Sequence, residues 1–96
     1  MYTIYKTNVF ADWFDSLKDQ TAKNKIRIRI DRIEMGNLGA HHTIGDGVSE
    51  LRIVYGPGYR LYYVIRGRMI IILLCGGDKG TQTKDIKTAK KLAKEV

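Results

Sequence analysis

Glu50-Leu51-Arg52-Ile53-Val54-Tyr55-Gly56-Pro57-Gly58-Tyr59-Arg60-Leu61-Tyr62-Tyr63 reads as two strands closed on a turn. The flanks are rich in β-branched and aromatic residues, and Gly-Pro-Gly between them breaks the extended run. Leu51, Ile53 and Tyr55 fall on one face of the first strand; Tyr59, Leu61, Tyr63 and Ile65 fall on one face of the second. Matching apolar to apolar across the turn fixes the register, because a slip of one residue would turn every side chain over. The same register groups Glu50, Arg52 and Val54 with Arg60, Tyr62 and Val64, so two arginines and a tyrosine meet on the face away from the core.

Outward from this hairpin, residues 48–55, 59–65 and 69–75 read as three consecutive strands, the last two joined around Gly67. Residues 69–74 are apolar on both faces, which marks the central or best-covered strand. Upstream, residues 2–6 read as a short strand, and Thr7 or Asn8 caps a helix reaching residue 18 or 19. Phe10, Trp13, Phe14 and Leu17 give that helix its core stripe. Residues 26–30 alternate like a strand. Ala22, Ile26, Ile30 and Ile33 nevertheless hold one helical face, and Gly36 supplies a terminator, so a helix capped near Thr21 is the reading adopted. Residues 36–47 read as a loop containing His41 and His42. Residues 76–83 form a glycine-broken connection to a last helix with Ile86, Ala89, Leu92 and Ala93 inward and five lysines outward. The expected fold is α+β, in the order β-α-α-β-β-β-α, with the helical hairpin packed on one face of a small antiparallel sheet.

The totals fit one domain, residues 1–96. Seventeen Lys and Arg against ten Asp and Glu give a formal charge of +7. Such an excess attracts RNA, DNA, acidic membranes or acidic proteins. Cys75 is the only cysteine, so it closes no intramolecular disulfide, and its apolar setting suggests an inert buried thiol. The N-terminus shows no signal-peptide pattern, and the run 69–75 is too short to span a bilayer. The expectation is a cytoplasmic protein with no membrane partner.

Arginine suits the hairpin face because its fork of donors grips phosphate oxygens while staying charged. Tyr62 is a candidate for stacking on an unpaired base. The alternative is a solvated face with cross-strand ion pairs. Lys79 and Lys84, at the strand-to-helix connection, are candidates for an anion site, and Lys87 extends the positive row. The connection lacks the spacing of a phosphate-binding P-loop, and the His pair lacks the companions of a metal site. Histidine titrates near neutrality, so an acid–base role for His41 is conceivable beside that of an exposed loop residue.

Together with Leu73-Leu74-Cys75-Gly76-Gly77-Asp78-Lys79-Gly80-Thr81-Gln82, the arginine–tyrosine hairpin resembles the RelE/ParE toxin superfamily, specifically the HigB-like addiction-module killer proteins. The resemblance covers nearly the whole chain. It implies a type II toxin that cuts mRNA on the ribosome without metal or cofactor and is neutralised by a cognate antitoxin, often a helix-turn-helix protein of HigA type. It implies that Arg60, in Gly58-Tyr59-Arg60-Leu61, contacts the scissile phosphate with Arg52 as its partner. Lys79 matches a second basic residue, and Gln82 belongs to the matching stretch. His41 stands four residues before Gly45-Asp46, the spacing of a functional histidine in some HigB proteins. Where RelE-type chains often place a tyrosine near the last helix, this chain has Gln82-Thr83-Lys84, which leaves the proton-transfer residue open among His41, Lys79 and Lys84. Two rival readings remain: a ParE-like gyrase inhibitor without catalysis, and a non-catalytic RNA- or ribosome-binding module.

Overall fold

The computed structural model describes all residues, Met1–Val96. β1 (Thr3–Lys6) leads into α1 (Asn8–Ser16) and α2 (Gln20–Glu34). These are followed by β2 (His41–Gly45), β3 (Val48–Ile53), β4 (Tyr59–Arg66), β5 (Ile70–Gly77), a 3-10 turn (Lys79–Thr81) and α3 (Gln82–Glu95). The expected α+β class holds. Within it, residues 41–45 form a strand where a loop was expected. The five strands lie in the order β1-β5-β4-β3-β2. Every pairing is antiparallel except that of β1 with β5, which is parallel, so the sheet is mixed.

Local chemistry explains the helix ends. Thr7 caps α1: its Oγ1 accepts from Phe10 N at 3.0 Å and donates to Leu74 O at 2.6 Å, pinning the helix start to β5. Asp19, rather than Thr21, caps α2, accepting from Thr21 N and Ala22 N. At the other end Gly36 takes a φ of +97°, Gly36 N donates to Ile33 O, and Asn37 N donates to Arg32 O. This is the glycine-terminated helix stop of the Schellman type. The alternating isoleucines of α2 resolve as helix: Ala22, Ile26 and Ile33 are buried, and Ile28 is left exposed.

The sheet is covered on both sides. Phe10, Ile26, Ile33, Leu51, Leu61, Tyr63, Ile71 and Leu73 join in the core beneath α1 and α2. A second core (Val48, Tyr62, Val64, Leu74, Cys75, Ala89 and Ala93) lies beneath α3. A bulge at Leu74 of β5, opposite Tyr62 and Tyr63, lets neighbouring Leu74 and Cys75 both join the second core. Burial there pushes the Cys75 thiol up to about 12, with Asp85 adding to the shift, so at neutral pH it is an unionised core thiol.

Two glycines allow this closure. A Cβ on Gly76 would collide with the Trp13 ring of α1, and one on Gly77 with the Asp85 carboxylate of α3. The helices therefore approach β5 from opposite sides at adjacent residues. Gly76→Ala is expected to cost about 1–3 kcal/mol, the range for overpacking a filled core, read as a lower urea midpoint with an unchanged slope.

The Tyr55 hydroxyl donates to Asp19 Oδ2 at 2.9 Å, tying the segment after β3 to the turn between α1 and α2. The cap bond from Ala22 and then the Tyr55 bond hold the Asp19 carboxyl below its ordinary 3.8. A lowered folded value stabilises the fold above the ordinary one, and that contribution disappears as pH falls through the folded value. Asp19→Asn should therefore be less stable than the native chain at pH 6, with the gap closing below about pH 4, measured by thermal unfolding across pH.

Candidate active site

The register of β3 with β4 places Arg52 directly opposite Arg60 and Glu50 opposite Tyr62. All four are on the α3 side of the sheet. That helix covers only part of the face, roofing Val48, Tyr62 and Val64 and leaving the end near the Gly56-Pro57-Gly58 turn open. Arg52, Arg60, Lys79 and Gln82 line a groove of about 520 Å³ at this open end, floored by the turn. Lys79 is brought there by backbone: its N–H donates to Pro57 O at 3.4 Å. The 3-10 turn carrying it is held by Asp78, which accepts from Gly80 N and Thr81 N, while Thr81 Oγ1 accepts from Asp78 N. The connection expected at residues 76–83 is thus short and structured, and α3 begins at Gln82.

Arg60 is only 5% exposed. Its Nη1 donates to Gly58 O at 2.9 Å, and its Nε lies 3.8 Å from Glu50 Oε2 with no hydrogen-bond partner. The turn and the carboxylate hold the guanidinium against the groove wall. Glu50 is fully buried and serves three neighbours. Oε2 accepts from Gln82 Nε2 at 3.0 Å and faces Arg60, while Oε1 lies 3.3 Å from His42 Nε2. A carboxylate taken out of water needs such company, because desolvating an ion costs several kcal/mol. Arg52 and Lys79 are exposed at the groove mouth.

The remaining sequence candidates are dispersed. Tyr62 is fully buried beneath α3, so it has no face to offer a base; the stacking role is corrected to a core role. Burial, then the nearby Glu50 charge, raises its hydroxyl above the usual tyrosine range. Lys84 and Lys87 are exposed on a neighbouring depression with Thr81 and Thr83, outside the groove. The amides at the start of α3 already face an acid: Asp85 sits in the first turn and accepts from Thr81 Oγ1. His41 pairs opposite Leu51, on the helical-hairpin side, and its Nδ1 lies 2.9 Å from Gly39 O. His42 pairs opposite Glu50, on the arginine side. Both histidines line a depression of about 330 Å³ that shares Arg52 and Val54 with the groove.

Glu50 and His42 were not singled out from the sequence. The strand parity that grouped Arg52 with Arg60 already put Glu50 beside them. His42 could be placed only once residues 41–45 were known to be a strand.

The family "Phage derived protein Gp49-like (DUF891)" matches residues 12–95, a span that includes every groove residue. An uncharacterised protein of Haemophilus influenzae is 50% identical over 93 residues, which cover 97% of this chain and 94% of that protein. No helix is long and apolar enough to cross a membrane.

Removing the buried carboxylate while keeping the cation it faces should be costly. Glu50→Ala is expected to lose about 3 kcal/mol, the lower end of the range for breaking a buried ion pair, because one side of Arg60 opens to the groove. Arg60→Met added to Glu50→Ala should recover part of that loss in chemical denaturation. Equal stability of the two variants would show that the pair is not coupled.

Proposed function

The chain belongs to the phage-derived Gp49-like family, a toxin–antitoxin-associated family related to RelE-like toxins, and from that membership and the groove we propose that it is a HigB-like toxin that cuts mRNA on the ribosome. The observation that carries the reading is the juxtaposition of Arg52, Arg60 and Lys79 in one open groove, with a buried carboxylate aligning the middle cation. Three cations converging on a concavity next to a polar, neutral Gln82 suit a phosphodiester better than an uncharged substrate.

In the proposed reaction the ribose 2′-hydroxyl loses its proton and O2′ bonds to the adjacent phosphorus. The bond from phosphorus to O5′ breaks, and O5′ leaves with a proton. The products are a 2′,3′-cyclic phosphate and a free 5′-hydroxyl. Charge grows on the phosphoryl oxygens during attack. Arg60 is fixed in advance to meet it, and a preset donor stabilises the transition state without reorganising. Arg52, exposed and opposite Arg60, grips the second oxygen or the neighbouring phosphate. Lys79 closes the third side, and Lys84 and Lys87 guide the RNA strand past the 3-10 turn as long-range attractors. Chemistry of this kind needs no metal ion or cofactor. The partners are mRNA, the ribosome and a cognate antitoxin, expected to be a helix-turn-helix protein of HigA type that covers the cationic groove in the inactive complex.

Arg60→Ala should reduce cleavage of ribosome-bound mRNA about 10²–10³-fold, the scale of one lost oxyanion donor, with native-like circular dichroism. Brief expression of the native chain should create new mRNA 5′-hydroxyl ends inside translated frames. Blocked DNA supercoiling with intact messages would instead favour gyrase inhibition. Salt-sensitive RNA binding without scission would favour a simple binding module.

A further inference from the structure

Resting on the nuclease reading above, we propose that His42, held by the buried carboxylate of Glu50, is the base that takes the 2′-hydroxyl proton. Three observations converge on it. The β2–β3 register sets His42 directly opposite Glu50, on the face that carries Arg52 and Arg60. His42 Nε2 lies 3.3 Å from Glu50 Oε1, a buried oxygen that makes no hydrogen bond, while Glu50 itself is fully buried. The ring is 59% exposed and lines the depression that runs into the arginine groove through Arg52.

The arrangement has a chemical consequence. A carboxylate can only accept, so a small ring adjustment that turns this contact into a hydrogen bond selects the tautomer in which Nε2 carries the hydrogen and Nδ1 keeps its lone pair. Nδ1 is then free to take a proton, and the imidazolium that forms is stabilised by the carboxylate it already touches. Glu50 acts as a positioning residue: one oxygen orients the base, and the other faces the guanidinium that meets the phosphate. Proton acceptor and charge stabiliser are thereby fixed by a single buried group. Gln82 of α3 braces the carboxylate through its other oxygen, Oε2.

The competing candidates are placed less well. His41 also borders the depression, but its register opposite Leu51 turns it away from Glu50, and its Nδ1 lies 2.9 Å from the Gly39 carbonyl. Lys79 and Lys84 are exposed ammonium groups, suited to attract phosphate. Lys79 has a role that fits its charge: its ammonium gives the departing O5′ a proton, as His42 keeps the one from O2′. Exchange of both groups with water then restores the starting state.

The test uses the purified full chain with ribosomes stalled on an end-labelled mRNA, under single-turnover conditions. His42→Ala should slow cleavage about 10²–10⁴-fold, the range for a lost general base, with native-like circular dichroism, and added imidazole should restore part of the rate. Full activity in His42→Ala, or a loss confined to His41→Ala, overturns the assignment while leaving the nuclease reading intact. Absence of cleavage by the native chain overturns both. A second readout is independent of turnover: ¹⁵N spectra of the His42 ring should show Nε2 protonated and Nδ1 bare in the native chain, and a tautomer mixture in Glu50→Gln. A ring protonated on Nδ1, or one indifferent to Glu50→Gln, overturns the Glu50 role.

Discussion

The register between β3 and β4 is the constraint on which the rest of this molecule depends. It is enforced from both sides of the sheet at once. Leu51 against Leu61, and Ile53 against Tyr59, face the α1–α2 hairpin. Glu50 against Tyr62 and Arg52 against Arg60 face α3. A slip of β3 by one residue would carry Glu50 and Arg52 into the core under α1 and α2 while turning Leu51 and Ile53 away from it. The cost of unpaired buried charges far exceeds any single packing contact, so no partial slip is tolerable. The register that packs the hydrophobic core is therefore the one that assembles the cationic groove, and the groove needs no flexible segment to complete it.

Within that frame, α3 divides one sheet face into two kinds of surface. Over Val48, Val64 and Leu74 it makes a second apolar core through Ala89 and Ala93, whose small side chains let the helix lie close. Towards the Gly56-Pro57-Gly58 turn it no longer covers the strands, and the groove opens. Glu50 stands on the boundary, beneath Gln82 from the helix and beside Arg60 from the strand. Its charge offsets part of the repulsion among Arg52, Arg60 and Lys79 without filling the groove. A solvent-exposed acid at the same place would compete with phosphate for the arginines. A buried one orients them from behind.

The hairpin face was legible because its pattern is redundant: parity, turn chemistry and arginine spacing all agree. The helical reading of residues 20–34 was likewise recoverable, since Gly36 and the spacing of Ala22, Ile26 and Ile33 outweighed the short alternation at 26–30. β2 was hidden for a physical reason. It is an edge strand paired on one side only, and of its five residues only Ile44 is even partly buried, so no apolar alternation marks it. A signal did exist in Asp46-Gly47, both with positive φ (+56° and +75°), the conformation of a tight hairpin turn. Tyr62 was misplaced because strand parity gives a face but not what covers it. The lysine row of the last helix drew attention to its outward side, while Ala89 and Ala93 were the residues that decide where it docks.

The paired glycines at the end of β5 connect these points. Gly77 is the register partner of Arg60, and it is the residue at which Asp85 and Thr81 of the α3 start come closest to the sheet. Gly76, one step back, receives Trp13 on the opposite side. With no side chain at either position, the chain can leave the sheet, cap itself through Asp78 and bring Lys79 against Pro57 within three residues. A larger residue at Gly77 would push α3 outward and draw Gln82 away from Glu50, loosening the carboxylate that aligns Arg60. The position of the middle cation is thus set by packing at a glycine as much as by its own ion pair, and a substitution there should disturb the groove together with the core beneath α3.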